Sequence, residues 1–177
     1  DRRPENGMVQ LCAEHNMKLL CYGALGGGLF SDKWLGIPDP GKPALENVSL
    51  DKYYRIICDF GGWALFQRLL QVLKDIAVKH ELSIGNVAVR YILERDQVGA
   101  VIIGARHAGH LKENLRVFDF SLDEEDYKRL NIILAENTGP KGDIYSVDRE
   151  ENRDALEEPK TEYFDVEDGK LVKKTRE

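Results

Sequence analysis

The sequence predicts an α/β chain of parallel strand–helix units. Two short apolar segments, Lys18–Tyr22 and Ala100–Ile103, have the continuous character of strands buried on both faces. Each runs into glycine, Gly23 and Gly104, where regular structure must break. Around them apolar residues recur at the helical period, and strands alternating with helices are joined in parallel.

Each element follows from its residues. Residues 7–15 carry apolar groups at helical spacing, with Asn16 as a stop. The first strand leads into Gly23-Ala24-Leu25-Gly26-Gly27-Gly28. Residues 31–50 read as a loop, with Pro38, Pro40 and Pro43 beside Gly36 and Gly41, and a loop of that length is usually functional or mobile. From Trp63, the residues Leu65, Leu69, Val72, Leu73, Ile76 and Ala77 share one helical face. Ser83 caps a second helix with Ile84, Val87, Ala88, Tyr91 and Ile92 as its stripe. A further helix spans Ala108 to Arg116. Ser121-Leu122-Asp123-Glu124 reads as a capping box opening a last helix through Leu130, Ile133 and Leu134. From Gly139 the chain changes character, with eight Lys and Arg against twelve Asp and Glu and few apolar residues. Residues 1–138 are therefore expected to form the folded body and 139–177 an acidic, partly disordered extension.

At 177 residues, 42% hydrophobic and 32% charged, the chain has the composition of a folded globular protein. A net charge of −6 argues against primarily electrostatic binding of nucleic acid or an anionic membrane. No apolar run reaches the roughly 18 residues of a membrane span, and no signal peptide opens the chain. Cys12, Cys21 and Cys58 are odd in number, widely spaced and without a C-x-x-C pair, so a reducing, cytoplasmic setting is expected. Two strands alone make no stable parallel sheet, and a closed barrel of such units takes about 250 residues. The chain opens on Asp1 with a helical pattern almost at once, so it reads as a processed chain or the back part of something longer.

Two segments could carry chemistry. Tyr22 and the glycines after it stand at the C-terminal end of a strand, the ligand-binding edge of parallel α/β proteins. There backbone N–H groups can approach a phosphate and Tyr22 can stack on a flat ring; the same residues equally describe a tight turn with a core tyrosine. The spacing is neither G-x-G-x-x-G nor a Walker loop. Ile103-Gly104-Ala105-Arg106 leads into a helix with His107, His110 and Lys112, a cationic cluster in an acidic chain. Arg106 could grip a phosphate there or cap a surface loop. His107 and His110 lack the Cys or Asp partners of a metal site, so none is assigned. His15 and His80 lie in helix last turns, where the helix dipole explains them. No catalytic triad or carboxylate pair can be assembled.

Three stretches in this order resemble the C-terminal half of an aldo-keto reductase: Leu20-Cys21-Tyr22-Gly23-Ala24-Leu25-Gly26-Gly27-Gly28-Leu29, the helix pair around Ile76-Ala77 and Asn86–Tyr91, and Val101–Arg106 leading to Leu111-Lys112-Glu113-Asn114. The resemblance implies the C-terminal part of a (β/α)8 TIM barrel, incomplete in this chain, with the two strands as barrel strands seven and eight. It implies an NADPH-dependent oxidoreductase acting on a small aldehyde, ketone or alcohol, with neither nucleic acid nor membrane as partner and no oligomeric state specified. By similarity Tyr22 stacks on the nicotinamide, and Gly23, Leu25, Gly27 and Lys33 line the pyrophosphate. Residues 29–60 form the loop that folds over the cofactor. Gly104, Ala105 and Arg106 approach the adenosine end, His110 stands where many relatives carry an Arg or Gln, and Glu113 and Asn114 hold the adenine. Gly23 replaces a serine frequent after the aromatic. The family's catalytic Asp, Tyr, Lys and His lie on early barrel strands and match nothing here, so this chain alone is expected to be inactive. The other readings are a nucleotide-sensing regulatory subunit of the ion-channel β-subunit type and a non-catalytic interaction fragment, with the acidic tail as contact surface.

Overall fold

A computed structural model describes residues 1–41, 48–105, 108–142, 144, 162–167 and 170–175. They form two compact units, Asp1–Lys141 and Gly142–Glu177. In the first, α1 (Met8–Glu14) precedes β1 (Leu19–Tyr22). The helices α2 (Val48–Phe60), α3 (Gly62–Lys79) and α4 (Ile84–Leu93) then lead to β2 (Val98–Ile102), followed by α5 (Gly109–Leu115) and α6 (Glu124–Leu134). β1 and β2 pair in parallel, with Leu20 opposite Ala100, Cys21 opposite Val101 and Tyr22 opposite Ile102. In the second unit β3 (Glu162–Glu167) and β4 (Lys170–Thr175) form an antiparallel pair in which Glu167 faces Lys170 and Glu162 faces Thr175. The sequence reading placed no strand in that stretch.

The centre of the first unit is α3. Of its predicted face Leu65, Leu69, Leu73, Ile76 and Ala77 are buried and Val72 only partly, and Trp63, Phe66 and Leu70 are buried beside them, so the buried stripe is wider than the sequence predicts. They pack with Ile84 and Val87 of α4, Leu130 and Ile133 of α6, and Leu50, Ile57 and Phe60 of α2. Trp63 sits at the start of α3 among Trp34, Tyr54 and Phe66, ring centroids 5.9, 6.2 and 5.2 Å away. A smaller cluster of Ala24, Val89 and Val117, with Val101 and Ile103 against it, joins the sheet to α4.

Three expectations change. The stretch 29–60 is not one loop, nor does irregular structure reach residue 50, because α2 begins at Val48. Its β-branched and aromatic residues (Tyr53, Tyr54, Ile56, Ile57) are weak helix formers, and its burial against α3 settles its state. α2 then meets α3 at a 93° bend around Gly61, and no single helix among the described residues is long and apolar enough to cross a membrane. The strands are not buried on both faces: Leu20, Tyr22 and Ile102 are 61, 63 and 57% exposed. One face of the two-stranded sheet packs on α4, and among the described residues nothing lies over the other. Finally, the last helix is capped by Asp123 rather than Ser121. The Asp123 carboxylate accepts the Asp126 N–H at 2.9 Å and the Asp126 carboxylate accepts the Asp123 N–H at 3.2 Å. Ser121 instead accepts a hydrogen bond from Arg90.

Asp126 also ties α6 to the end of α3. Its carboxylate is buried and accepts Lys79 Nζ at 2.9 Å while His80 Nε2 lies 2.7 Å away. Burial pushes its pKa up, but the bonds from Lys79, His80 and the Asp123 amide outweigh burial and hold the carboxyl below its ordinary 3.8. Asp123, bonded to Lys79, is held down at about 2. Carboxyls with folded-state pKa values below their unfolded ones favour folding above the unfolded value, and that contribution disappears as pH falls through the folded one. The thermal midpoint should therefore drop on acidification from about pH 4 towards 2, and Asp126→Asn should flatten that drop. At neutral pH Asp126→Asn should cost about 2 kcal/mol in a denaturant titration, the scale of a broken charge-assisted bond.

Candidate functional site

Parallel pairing brings two distant segments to one edge. Because Tyr22 lies opposite Ile102, the chain leaves both strands on the same side, through Gly23–Gly28 and through Ile103-Gly104-Ala105. Tyr22 offers an exposed ring at that edge. The turn after it is tight: the Gly26 and Gly28 amides donate to the Gly23 and Leu25 carbonyls at 2.8 Å each. Gly23 and Gly27 have φ of 73° and 65°, the left-handed region that a side chain resists. Leu29, fully buried, anchors the far end, and the Ser31 hydroxyl donates to the Gly28 carbonyl at 2.8 Å. The Leu29 and Phe30 amides likewise donate to the Gly26 and Leu25 carbonyls, so an anion at this turn would have to be met by its remaining amides.

The sequence-predicted residues divide into two groups around this edge. In the first, Tyr22, Gly23 and Gly27 are at the turn, with Leu25 half-buried on the α4 side. Lys33 is exposed, and its ammonium lies 5.4 Å over the Trp34 ring, a cation–π contact. In the second, Gly104 and Ala105 are exposed beyond β2. Arg106 lies outside the described residues, as does His107. His110 is exposed in the first turn of α5, which begins at Gly109. Glu113 is half-buried, with its carboxylate 3.7 Å from Arg116 one helical turn on. Asn114 is half-buried beside it. Among the described residues no three His, Cys, Asp or Glu side chains gather as metal ligands would. Burial pushes the Cys21 thiol up, away from reactivity.

Two supporting groups carry weight that the motifs did not reveal. Asn86 is buried and completes a capping box with Ser83, while its Nδ2 donates to the Glu113 carbonyl at 2.9 Å. One side chain thus starts α4 and holds α5 against it. The signal was present as Ser83-x-x-Asn86, but capping boxes are usually sought with Glu or Gln at the second position. The strap after the turn is pinned as well. Gln67 accepts from the Gly36 N–H at 2.8 Å and donates to the Trp34 carbonyl at 2.9 Å, and Trp63 Nε1 donates to the Ile37 carbonyl at 2.8 Å. The Tyr54 hydroxyl donates to Asp39 at 2.8 Å, and that bond pushes the phenol up to about 12.

Chemically, this edge offers an exposed aromatic face, a glycine turn beside it and a helix start a strand away. It suits an elongated anionic ligand with a flat ring. The model of the Aldo/keto reductase family matches residues 1–135. Flagellar radial spoke protein 5 of Chlamydomonas reinhardtii is 36% identical over 95 residues, 52% of this chain and 18% of that protein. An aryl-alcohol dehydrogenase of Pestalotiopsis microspora is 28% identical over 132 residues, 73% of this chain and 30% of that enzyme. The chain therefore spans less than a third of either relative. The glycerol dehydrogenase of Gluconobacter oxydans, whose structure is solved, is similar with a TM-score of 0.59 and 24% identity, covering 80% of this chain and 42% of that one, a likeness of fold. Asn86→Ala should lower stability by about 1 to 2 kcal/mol. Hydrogen exchange should locate the loosening in α5, and protection unchanged there would show that Asn86 does not hold it.

Proposed function

The chain belongs to the aldo/keto reductase family, and from that premise we propose that it is the dinucleotide-binding part of an NADPH-dependent oxidoreductase that reduces aldehydes or ketones to alcohols. The observation that carries the proposal is the parallel register of Tyr22 and Ile102, which sets the glycine turn and Gly104-Ala105 side by side. The residues suit the cofactor. The turn's left-handed backbone can cradle a pyrophosphate, Tyr22 has a free ring face, and a Cβ on Gly104 would meet nothing within 4 Å. When bound, the nicotinamide supplies the hydride. Tyr22 would orient that ring, and Gly23, Leu25 and Gly27 would line the pyrophosphate, with Lys33 a neighbouring charge. Gly104, Ala105, Arg106 and His110 would receive the adenosine end, Glu113 and Asn114 the adenine. Arg106 is the permanent cation of that group, so it should carry preference for a 2′-phosphate.

No residue of the chain is assigned to proton transfer, and the intact parent is read as the enzyme. The second reading, a non-catalytic interaction role, draws on the identity with a radial spoke protein. Titration of the purified chain with NADPH and NADH, followed by energy transfer from tryptophan to the nicotinamide, tests both. Saturable binding that favours NADPH and weakens about tenfold or more in Arg106→Ala is expected, the scale of a lost charge-assisted contact. Absence of binding by the folded chain would favour the interaction role. Mixed with NADPH and a simple aldehyde, the chain alone should leave the 340 nm absorbance constant; steady loss of it would place the proton donor within these 177 residues.

A further inference from the structure

The glycine turn has a neighbour that its own sequence does not announce. Tyr53, on α2, lies along it so that both sides of the ring meet the backbone. A Cβ on Gly23 would stand 2.8 Å from the Tyr53 hydroxyl oxygen and 2.9 Å from Cε1, and one on Gly27 would stand 3.1 Å from Cδ2. Leu50, one turn earlier on α2, comes within 3.4 Å of the same Gly27 position. The ring is half-buried against the core, and its polar end reaches Gly23, the residue after the exposed Tyr22. Among the described residues the Tyr53 hydroxyl makes no hydrogen bond. A partly buried tyrosine usually presents its hydroxyl to a partner, and here the hydroxyl ends against Gly23, where the chain leaves the strand for the glycine turn.

We propose that Tyr53 is a ligand contact of this site: its hydroxyl donates a hydrogen bond to a phosphate oxygen of the dinucleotide's pyrophosphate, while its ring holds the turn in shape. Glycine at position 23 is what leaves room, since any side chain there would take the space the hydroxyl occupies. The role rests on the dinucleotide reading above. It involves no transfer of a proton, only a neutral donor facing an anion, the stronger class of hydrogen bond.

The test compares the 177-residue chain with Tyr53→Phe, which removes the hydroxyl and keeps the ring against Gly23 and Gly27. Two ligands are titrated: NADPH, and adenosine 2′-monophosphate, which has the adenine and 2′-phosphate but no pyrophosphate. In Tyr53→Phe the Kd for NADPH should rise about tenfold, while that for adenosine 2′-monophosphate stays within about twofold. Tyr53→Leu, which removes the ring as well, should weaken NADPH at least as much. Unchanged NADPH affinity in Tyr53→Phe overturns the contact and leaves the dinucleotide reading standing. Equal weakening of both ligands also overturns it, because a pyrophosphate contact cannot act on a ligand without one. A wild-type chain that binds no NADPH overturns the contact and the reading together.

Discussion

Two parallel strands cannot be joined by a tight turn. The chain must leave the sheet, cross it and return before the second strand can lie beside the first. In this protein the crossover runs from Gly23 to Gln97, and the register of Tyr22 against Ile102 depends on it. Its rigidity comes from α3, whose buried face is shared by α2, α4 and α6. The candidate site inherits its geometry from that core. The turn after β1 is held by Leu29, fully buried in it, and by α2, which brings Leu50 and Tyr53 to the turn's glycines. The loop after β2 leads to α5, which Asn86 fastens to α4.

Polar contacts then lock the helices at their ends, where apolar burial cannot define position. Asp126 joins α6 to α3 through Lys79 and His80. At the same end of α6 Glu94, which closes α4, accepts from the Tyr127 hydroxyl at 2.5 Å, from Arg90 and from the Leu122 amide. Burial and the bond to Glu94 push the Tyr127 phenol up to about 12. Burial raises the Glu94 pKa, but its three donors outweigh that and hold the carboxyl below its ordinary value. Arg95 covers the pair with its guanidinium 4.7 Å from the Tyr91 ring. On the surface Arg68 and Glu136 form a two-pronged pair at 2.6 Å, though exposed pairs of this kind add little stability.

The sheet carries apolar surface that the described core does not cover. Leu20, Tyr22 and Ile102 form one apolar face open to water, and apolar residues of α5 and the turn after it, Leu111, Leu115 and Phe118, are more than half exposed. In the glycerol dehydrogenase that shares its fold, this chain corresponds to 42% of the structure. A single residue there serves two ends: Tyr22 belongs to the strand by its backbone and to the candidate ligand site by its ring.

The sequence by itself determined the elements that repeat a strong local signal. The faces of α3 and α4, the Ser83 cap and the two glycine-ended strands follow from periodicity and capping chemistry, which act over a few residues. Tyr22 and Gly23 at the end of one strand, and Gly104 and Ala105 beyond the other, were legible for the same reason, whereas the roles of Lys33, His110, Glu113 and Asn114 came only from the family resemblance. Tertiary structure decided the rest. Residues 48–60 did carry a helical signal, Leu50, Tyr53, Tyr54, Ile57 and Phe60 at the 3.6 spacing. Tyr53, Tyr54, Ile57 and Phe60 are individually weak helix formers after a proline-rich stretch, and burial of that face in the α3 core is what fixes the helix. Asp123 rather than Ser121 caps α6, because Ser121 is drawn to Arg90 of another helix. The meeting of Tyr53 with Gly23 and Gly27 spans some thirty residues and a bend in the chain, so no local pattern encodes it. It comes about because α2 packs on the core around α3 and carries Tyr53 against the turn.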